Sequence, residues 1–176
     1  MRHEQIWAPW RLSYVQGDKE AAATSAENLL PGGDPECFLC QCAVTDHRQD
    51  RLVVHQAENV VVVMNRYPYN NGHLLVAPRR HLARLDQLDE NTEIALVATI
   101  RKMTGLLEEV LHPEGFNVGL NLGQAAGAGL PGHLHWHVVP RWGGDTNFMP
   151  SLAGVRVIPQ SLEALWEVLV DAWNAR

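Results

Sequence analysis

Three histidines, His133, His135 and His137, alternate with the bulky apolar residues Leu134, Trp136 and Val138. A period of two is the side-chain period of an extended strand, so the spacing predicts three imidazoles on one face and a core-facing set on the other. An imidazole can bind a metal, move a proton or act as a nucleophile, and a strand holds three of them in fixed relation. The competing reading is a surface strand that attracts metals and catalyses nothing. The loop just before it, Gly123 to Gly132, carries four glycines in ten residues. Glycine is costly in folding entropy, so either backbone N–H groups approach an anionic ligand closely there, or the loop is simply a flexible hairpin connection. Just beyond the strand, Arg141 could set a guanidinium beside a phosphate and Trp142 could pack on a base, or both could be ordinary surface residues.

The cysteines form the second chemical cluster. Cys37, Cys40 and Cys42 lie within six positions. The Cys37–Cys40 spacing lets two thiols close on one tetrahedral ion, but four ligands are needed and Cys42 is too near to complete the set. The missing ligands are then histidines brought in by the fold. Buried, unreactive thiols are the other reading, whereas a thioredoxin-like role lacks the strand-to-helix context.

Short β-branched runs at Arg51–His55 and Asn59–Met64 predict a hairpin, and His73–Pro78 resumes as a third strand after the polar turn Asn65–Gly72. Together they predict an antiparallel meander, with Gly72 adopting a backbone angle that other residues resist. From Thr92 the residues Ile94, Leu96, Val97, Ile100, Met103, Leu106, Leu107 and Val110 recur at helical spacing, with Asp89 as the cap and His112-Pro113 as the stop. Gly115–Leu122 alternates as a further strand. Val155–Ile158 reads as an edge strand, and Pro159–Trp173 as a last amphipathic helix with Leu162, Leu165, Trp166, Leu169 and Trp173 on its apolar face. Trp7 and Trp10 predict that the N-terminal segment packs on the domain or on a partner subunit, ahead of a loose linker from Gly17 to Gly33.

The chain has 176 residues, 46% of them hydrophobic and 19% charged, which excludes disorder and fits one domain with a sizeable core. Its formal charge of −6 and the lack of any Lys or Arg run argue against nucleic acid as a partner. No apolar run reaches signal-peptide or membrane-span length, and the clustered cysteines are unlike an extracellular disulfide framework, so a cytoplasmic protein with no membrane partner is expected.

His133-Leu134-His135-Trp136-His137-Val138-Val139 matches the pattern of the histidine triad (HIT) family, and Asn65 with Gly72-His73-Leu74-Leu75-Val76-Ala77-Pro78 resembles its nucleotide-binding strand. The resemblance spans roughly Cys37 to Asn147. It implies an α+β, HIT-like fold with a central antiparallel sheet, a long amphipathic helix and a C-terminal helix, assembled as a homodimer. The expected organisation is an N-terminal extension and linker over 1–34, a HIT domain over 35–150, and a C-terminal strand and helix over 151–176, packed on the domain or the dimer. Within the family the chain is most similar to the dinucleoside polyphosphate phosphorylases, through Asn65–His73, Gly115–Gly123 and His137–Asp145.

By that resemblance His135 is the nucleophile, His137 assists at the phosphate and leaving group, and Asn121 lies beside the reacting phosphates. Asn65 contacts the ribose, and His73, Gly127, Gly129, Gly132, Arg141 and Trp142 complete the substrate-binding set. Metal-bearing relatives match Cys37, Cys40, His81 and His133, which implies a structural zinc. The implied reaction is nucleotidyl transfer through a nucleotidyl-histidine, with the added oxyanion charge held by Asn121 and loop N–H groups, and a protonated His137 offsetting charge on the leaving oxygen. If inorganic phosphate is the acceptor, diadenosine tetraphosphate gives ADP and ATP. If water is, it gives AMP and ATP. Many hydrolases of the family carry Gly-Gln-Ser or Gly-Gln-Thr before the triad, whereas Gly127-Ala128-Gly129-Leu130 supplies no hydroxyl. A nucleotide-binding module without catalysis is the alternative of another class.

Overall fold

A computed structural model describes residues 29–145 and 158–176. The expected packing of Trp7 and Trp10, most of the Gly17–Gly33 linker and the Val155–Val157 strand lie outside the described residues. Five strands, β1 (Val53–Gln56), β2 (Val60–Met64), β3 (Leu74–Pro78), β4 (Gly115–Leu120) and β5 (Trp136–Arg141), form one antiparallel sheet in the order β1-β2-β3-β5-β4. With three helices among the described residues, α1 (Phe38–Val44), α2 (Glu90–Leu111) and α3 (Leu162–Asn174), this is the α+β architecture expected from the sequence.

The meander forms as predicted. Val60 to Met64 pair with Pro78 to Leu74 in unbroken register, and every residue of both strands is buried. Alternation divides that burial between two cores. Val60, Val62, Met64, Leu74, Val76 and Val138 face α2 and α3, while Val61, Val63 and Ala77 pack with Leu39, Cys40 and Ala43 of α1. Covering both faces explains why these strands read as continuous apolar runs.

Helix α2 begins at Glu90, directly after the expected cap, because the Asp89 carboxylate accepts the Thr92 N–H at 2.9 Å. Its buried stripe is Thr92, Leu96, Thr99, Met103, Leu106 and Leu107. Ile94 and Val97, expected on that stripe, are 62% and 69% exposed. At 100° per residue, Ile94 is turned about 200° from Leu96 and lies on the far side of the helix. His112 ends the helix in the left-handed region. A Cβ on Gly72 (φ 75°) would meet the Leu111 side chain at 2.5 Å, so close approach of the β2–β3 turn to the end of α2 also requires glycine there.

A second correction concerns the triad. Only His137 lies within β5, which starts at Trp136; His133 and His135 occupy the lead-in. The β3 and β4 ladders reach no further back than Trp136, so this segment is held by other contacts, including the Leu134 N–H to Leu82 carbonyl bond at 2.6 Å. Alternation nevertheless persists. Leu134 and Val138 are buried, and Trp136 packs on the α2 side. His137, paired with Leu75 and Gly119, faces the other way, toward the layer that contains α1. Among the described residues no helix is long and apolar enough to cross a membrane.

Candidate active site and metal centre

The three triad histidines have three different hydrogen-bond environments, and together these fix where each proton sits. His133 is 1% exposed, and its Nε2 donates to the Pro78 carbonyl at 2.8 Å. Its Nδ1 is therefore a lone pair, and it lies 3.3 Å from Cys37 Sγ and 3.6 Å from Cys40 Sγ. His135 donates from Nδ1 to the His133 carbonyl at 2.8 Å, which leaves Nε2 unprotonated. This is the tautomer a nucleophilic imidazole needs.

His137 is set by a relay. A backbone N–H can only donate, and that of Tyr69 reaches His73 Nδ1 at 3.0 Å. The neutral His73 ring then carries its proton on Nε2, 2.9 Å from His137 Nδ1. His137 in turn carries its own proton on Nε2, a buried atom with no hydrogen-bond partner among the described residues. Burial, and secondarily His135, holds the His137 pKa below the ordinary imidazole range. Burial disfavours the protonated His137 expected from the sequence, and the neutral ring carries its N–H on Nε2. A buried, unpaired donor is costly to keep, and it can hydrogen-bond to an oxygen that acquires charge. The Tyr69 ring lies over both His73 and His137, with centroids 4.7 and 5.4 Å away.

The second cluster joins Cys37 and Cys40, at the start of α1, to His81 after β3 and His133 before β5. Their four ligand atoms all lie within 4.8 Å of one another, and Cys40 Sγ is 3.1 Å from His81 Nδ1. Sulfur at ~2.3 Å and nitrogen at ~2.0 Å from one tetrahedral ion are about 3.5 Å apart, so the spacing fits a two-Cys, two-His metal site. The Pro78 carbonyl supplies the outer hydrogen bond that orients a ligating imidazole. Without a cation, burial pushes the Cys37 thiol up to about 12 and the His133 imidazole down to about 4, each toward its neutral form. Neutral imidazole is the ligating form, and coordination is what deprotonates a thiol at such depth.

The remaining candidates divide. Asn121 follows the last residue of β4, just past the Leu120–Trp136 pair, and its carboxamide makes no hydrogen bond among the described residues. Asn65 adjoins the relay through Nδ2, 3.3 Å from His73 Nδ1, while its Oδ1 accepts the Tyr67 N–H. In the glycine loop the Gly127 N–H donates to Gln124 within a 3-10 turn, whereas the Gly129 and Gly132 N–H groups have no partner among the described residues. A Cβ on Gly132 would sit 3.3 Å from His81 Nε2, so this glycine also lets the loop close over the cysteine–histidine cluster. Leu130 packs against the core that contains Cys37 and Cys40.

Arg141 and Trp142 are engaged elsewhere. Arg141 binds Asp145 through Nε and Nη2 at 2.6 and 2.9 Å and Asn117 through Nη1 at 2.6 Å, which leaves its fork committed away from a phosphate. The Trp142 indole N–H donates to the His112 carbonyl at 3.2 Å, at the end of α2. Sequence reasoning missed the structural parts of Asp145, Asn70, Tyr69 and the Pro78 carbonyl. Only the polar turn and the Gly-Gly-Asp ending marked the first two, and a backbone carbonyl leaves no signal in a sequence.

The model of the HIT domain matches residues 47–144. A Mycobacterium tuberculosis protein named AP-4-A phosphorylase is 38% identical over 175 residues, covering 97% of this chain and 84% of that protein. A bis(5'-nucleosyl)-tetraphosphatase (asymmetrical) from Schizosaccharomyces pombe is 32% identical over 89 residues, 51% of this chain and 48% of its own. Among solved structures, a zinc-bound histidine triad family protein from Mycobacterium smegmatis superimposes with a TM-score of 0.59 at 28% identity, covering 71% of this chain and 85% of that one. A histidine triad nucleotide-binding protein from Sulfolobus tokodaii shares the fold, with a TM-score of 0.63 at 22% identity over 79% of this chain and 93% of that one. With the triad, its fold and a family match over more than half its length, the chain belongs to the HIT family.

Proposed function

We propose that the protein is a nucleotidyltransferase that cleaves diadenosine tetraphosphate by phosphorolysis into ADP and ATP, through a nucleotidyl group carried on His135. The observation that carries this reading is the 2.8 Å bond from His135 Nδ1 to the His133 carbonyl, which leaves Nε2 as a lone pair on a ring held in place. Nε2 attacks the α-phosphorus, the bond from that phosphorus to the bridging oxygen breaks, and ATP leaves. The positive charge that develops on the ring is offset at Nδ1–H by the His133 carbonyl. The His137 Nε2–H donates to an oxygen of the reacting phosphate, and Asn121 with the Gly129 and Gly132 N–H groups is placed to receive the non-bridging oxygens. Asn65 and His73 border the nucleotide. An oxygen of inorganic phosphate then attacks the phosphorus, the P–N bond breaks, and ADP is released with His135 restored.

Likeness to the mycobacterial AP-4-A phosphorylase along nearly the whole chain supports phosphate as the acceptor. The likeness to the fission-yeast tetraphosphatase supports a second reading, with water as acceptor and AMP as product, but it covers only 51% of this chain. Because Arg141 is paired with Asp145, the phosphate subsite falls to the glycine loop rather than to that guanidinium.

Cys37, Cys40, His81 and His133 would hold a structural zinc, which would tie α1 to the lead-in of the triad. The free cysteines fit a reducing, cytoplasmic setting. The homodimer forms along β4, the sheet edge next to the catalytic strand, where Val118 is 47% exposed. The test is anion-exchange analysis of products from diadenosine tetraphosphate with and without inorganic phosphate. ADP and ATP formed only with phosphate support the phosphorylase. AMP and ATP in both conditions support the hydrolase, and no products from either would overturn both.

A further inference from the structure

We infer that Asp145 and Asn70 form a latch that sets the proton on His137 by acting through Tyr69 and His73, and so are positioning residues for the reaction proposed above. The Asp145 side chain is 8% exposed and gathers three elements. It takes the paired donors of Arg141 from the end of β5, the Trp142 N–H from the following turn at 3.2 Å, and Asn70 Nδ2 from the β2–β3 turn at 2.8 Å. Asn70 Nδ2 also reaches the Pro140 carbonyl at 3.1 Å, so the turn is pinned to β5 at two points.

The pinned residue is adjacent to the one that matters. Asn70 follows Tyr69, whose N–H makes His73 Nδ1 an acceptor, and the Asn70 carbonyl accepts the His73 N–H at 3.3 Å. His73 Nε2 then fixes His137 Nδ1 as an acceptor and places the proton on Nε2. If the turn is released, His73 Nδ1 loses the Tyr69 N–H and keeps only the longer Asn65 Nδ2 contact at 3.3 Å, so both rings are held less firmly in one proton arrangement. Only one arrangement directs an N–H from His137 into the site. The salt bridge that removes Arg141 from phosphate binding thus acquires a role of its own, because it orients the carboxylate that holds Asn70.

The experiment is side-chain ¹⁵N NMR of the histidine rings, with steady-state kinetics, on the wild-type protein and on Asp145→Asn, Asn70→Ala and Asn117→Ala. Asp145→Asn sets an amide NH₂ against either the Asn70 amide or the Arg141 guanidinium. Asn70→Ala removes the pin while keeping Asp145 and Arg141 paired, and so serves if the first variant fails to fold. Asn117→Ala breaks only the Arg141 contact to β4. The wild type is expected to show His73 and His137 each protonated on Nε2 alone. In the first two variants both tautomers appear, and kcat falls about tenfold with KM within about twofold, whereas Asn117→Ala changes neither. Unaltered tautomers in Asp145→Asn and Asn70→Ala, or an equal change in Asn117→Ala, would overturn the latch. Absence of turnover in the wild type would count against the proposed reaction instead and leave the tautomer comparison to judge the latch.

Discussion

The Nδ1 atom of His135 lies 2.8 Å from the carbonyl oxygen of His133, whose own imidazole faces two thiols. One residue therefore serves both centres, with its ring in the cysteine–histidine cluster and its backbone holding the ring two positions on. Order in the cysteine–histidine cluster and order at the His135 ring meet in a single residue.

Zinc removal is accordingly expected to affect both stability and rate. Elemental analysis should find about one zinc per chain. Cys40→Ala or His81→Ala should lose the ion and about 3 kcal/mol or more of stability, equivalent to roughly 10 °C in Tm for a chain of this size. A folded native protein without metal, or variants that melt with the wild type, would contradict this.

Stability should rise with pH across the imidazole range. His55 packs against Trp173 with the rings tilted and their centroids 4.5 Å apart, and burial, aided by Lys102 and Arg48, holds its pKa below the ordinary value. Burial lowers His137 in the same direction. The unfolded chain then binds more protons than the folded one as pH falls below about 6.5, so unfolding is favoured until the folded pKa values are passed. Urea unfolding followed by tryptophan fluorescence should show this slope, and His55→Gln should reduce it without abolishing it. A slope of opposite sign in the wild type would refute the assignment.

Much of this was legible in the sequence because it is local. Alternation at His133–Val138 separated chemistry from core although β5 begins only at Trp136, because parity survives where the ladder does not. The β-branched runs gave the meander, and Asp89 marked the start of α2 at Glu90. The partners that define the site were not legible, because they join distant positions: Pro78 to His133, Tyr69 through His73 to His137, and Asn70 to Asp145. Arg141 was read as an anion ligand because its chemistry permits that, but an aspartate four residues later uses the same fork. Ile94 and Val97 were counted in the helical repeat of apolar residues, but their angle around α2 places them outside the core.

The exposed edge at β4 predicts the assembly. Val118 lies in β4, which pairs with β5 on one side and is open on the other among the described residues, where lysine is an established way to block pairing. Light scattering should report a dimer for the wild type and a shift to monomer for Val118→Lys. A wild-type monomer, or a Val118→Lys dimer of equal strength, would remove the β4 interface.

The most direct test is to trap the intermediate. Protein mixed with diadenosine tetraphosphate in the absence of phosphate, quenched in base and analysed by peptide mass spectrometry, should carry one AMP unit on His135. Adding inorganic phosphate before the quench should discharge it as ADP. His135→Ala should bind nucleotide, form no adduct and lose at least about a thousandfold in turnover. ADP and ATP produced at wild-type rate by His135→Ala, or an AMP adduct on any other residue, would contradict the account.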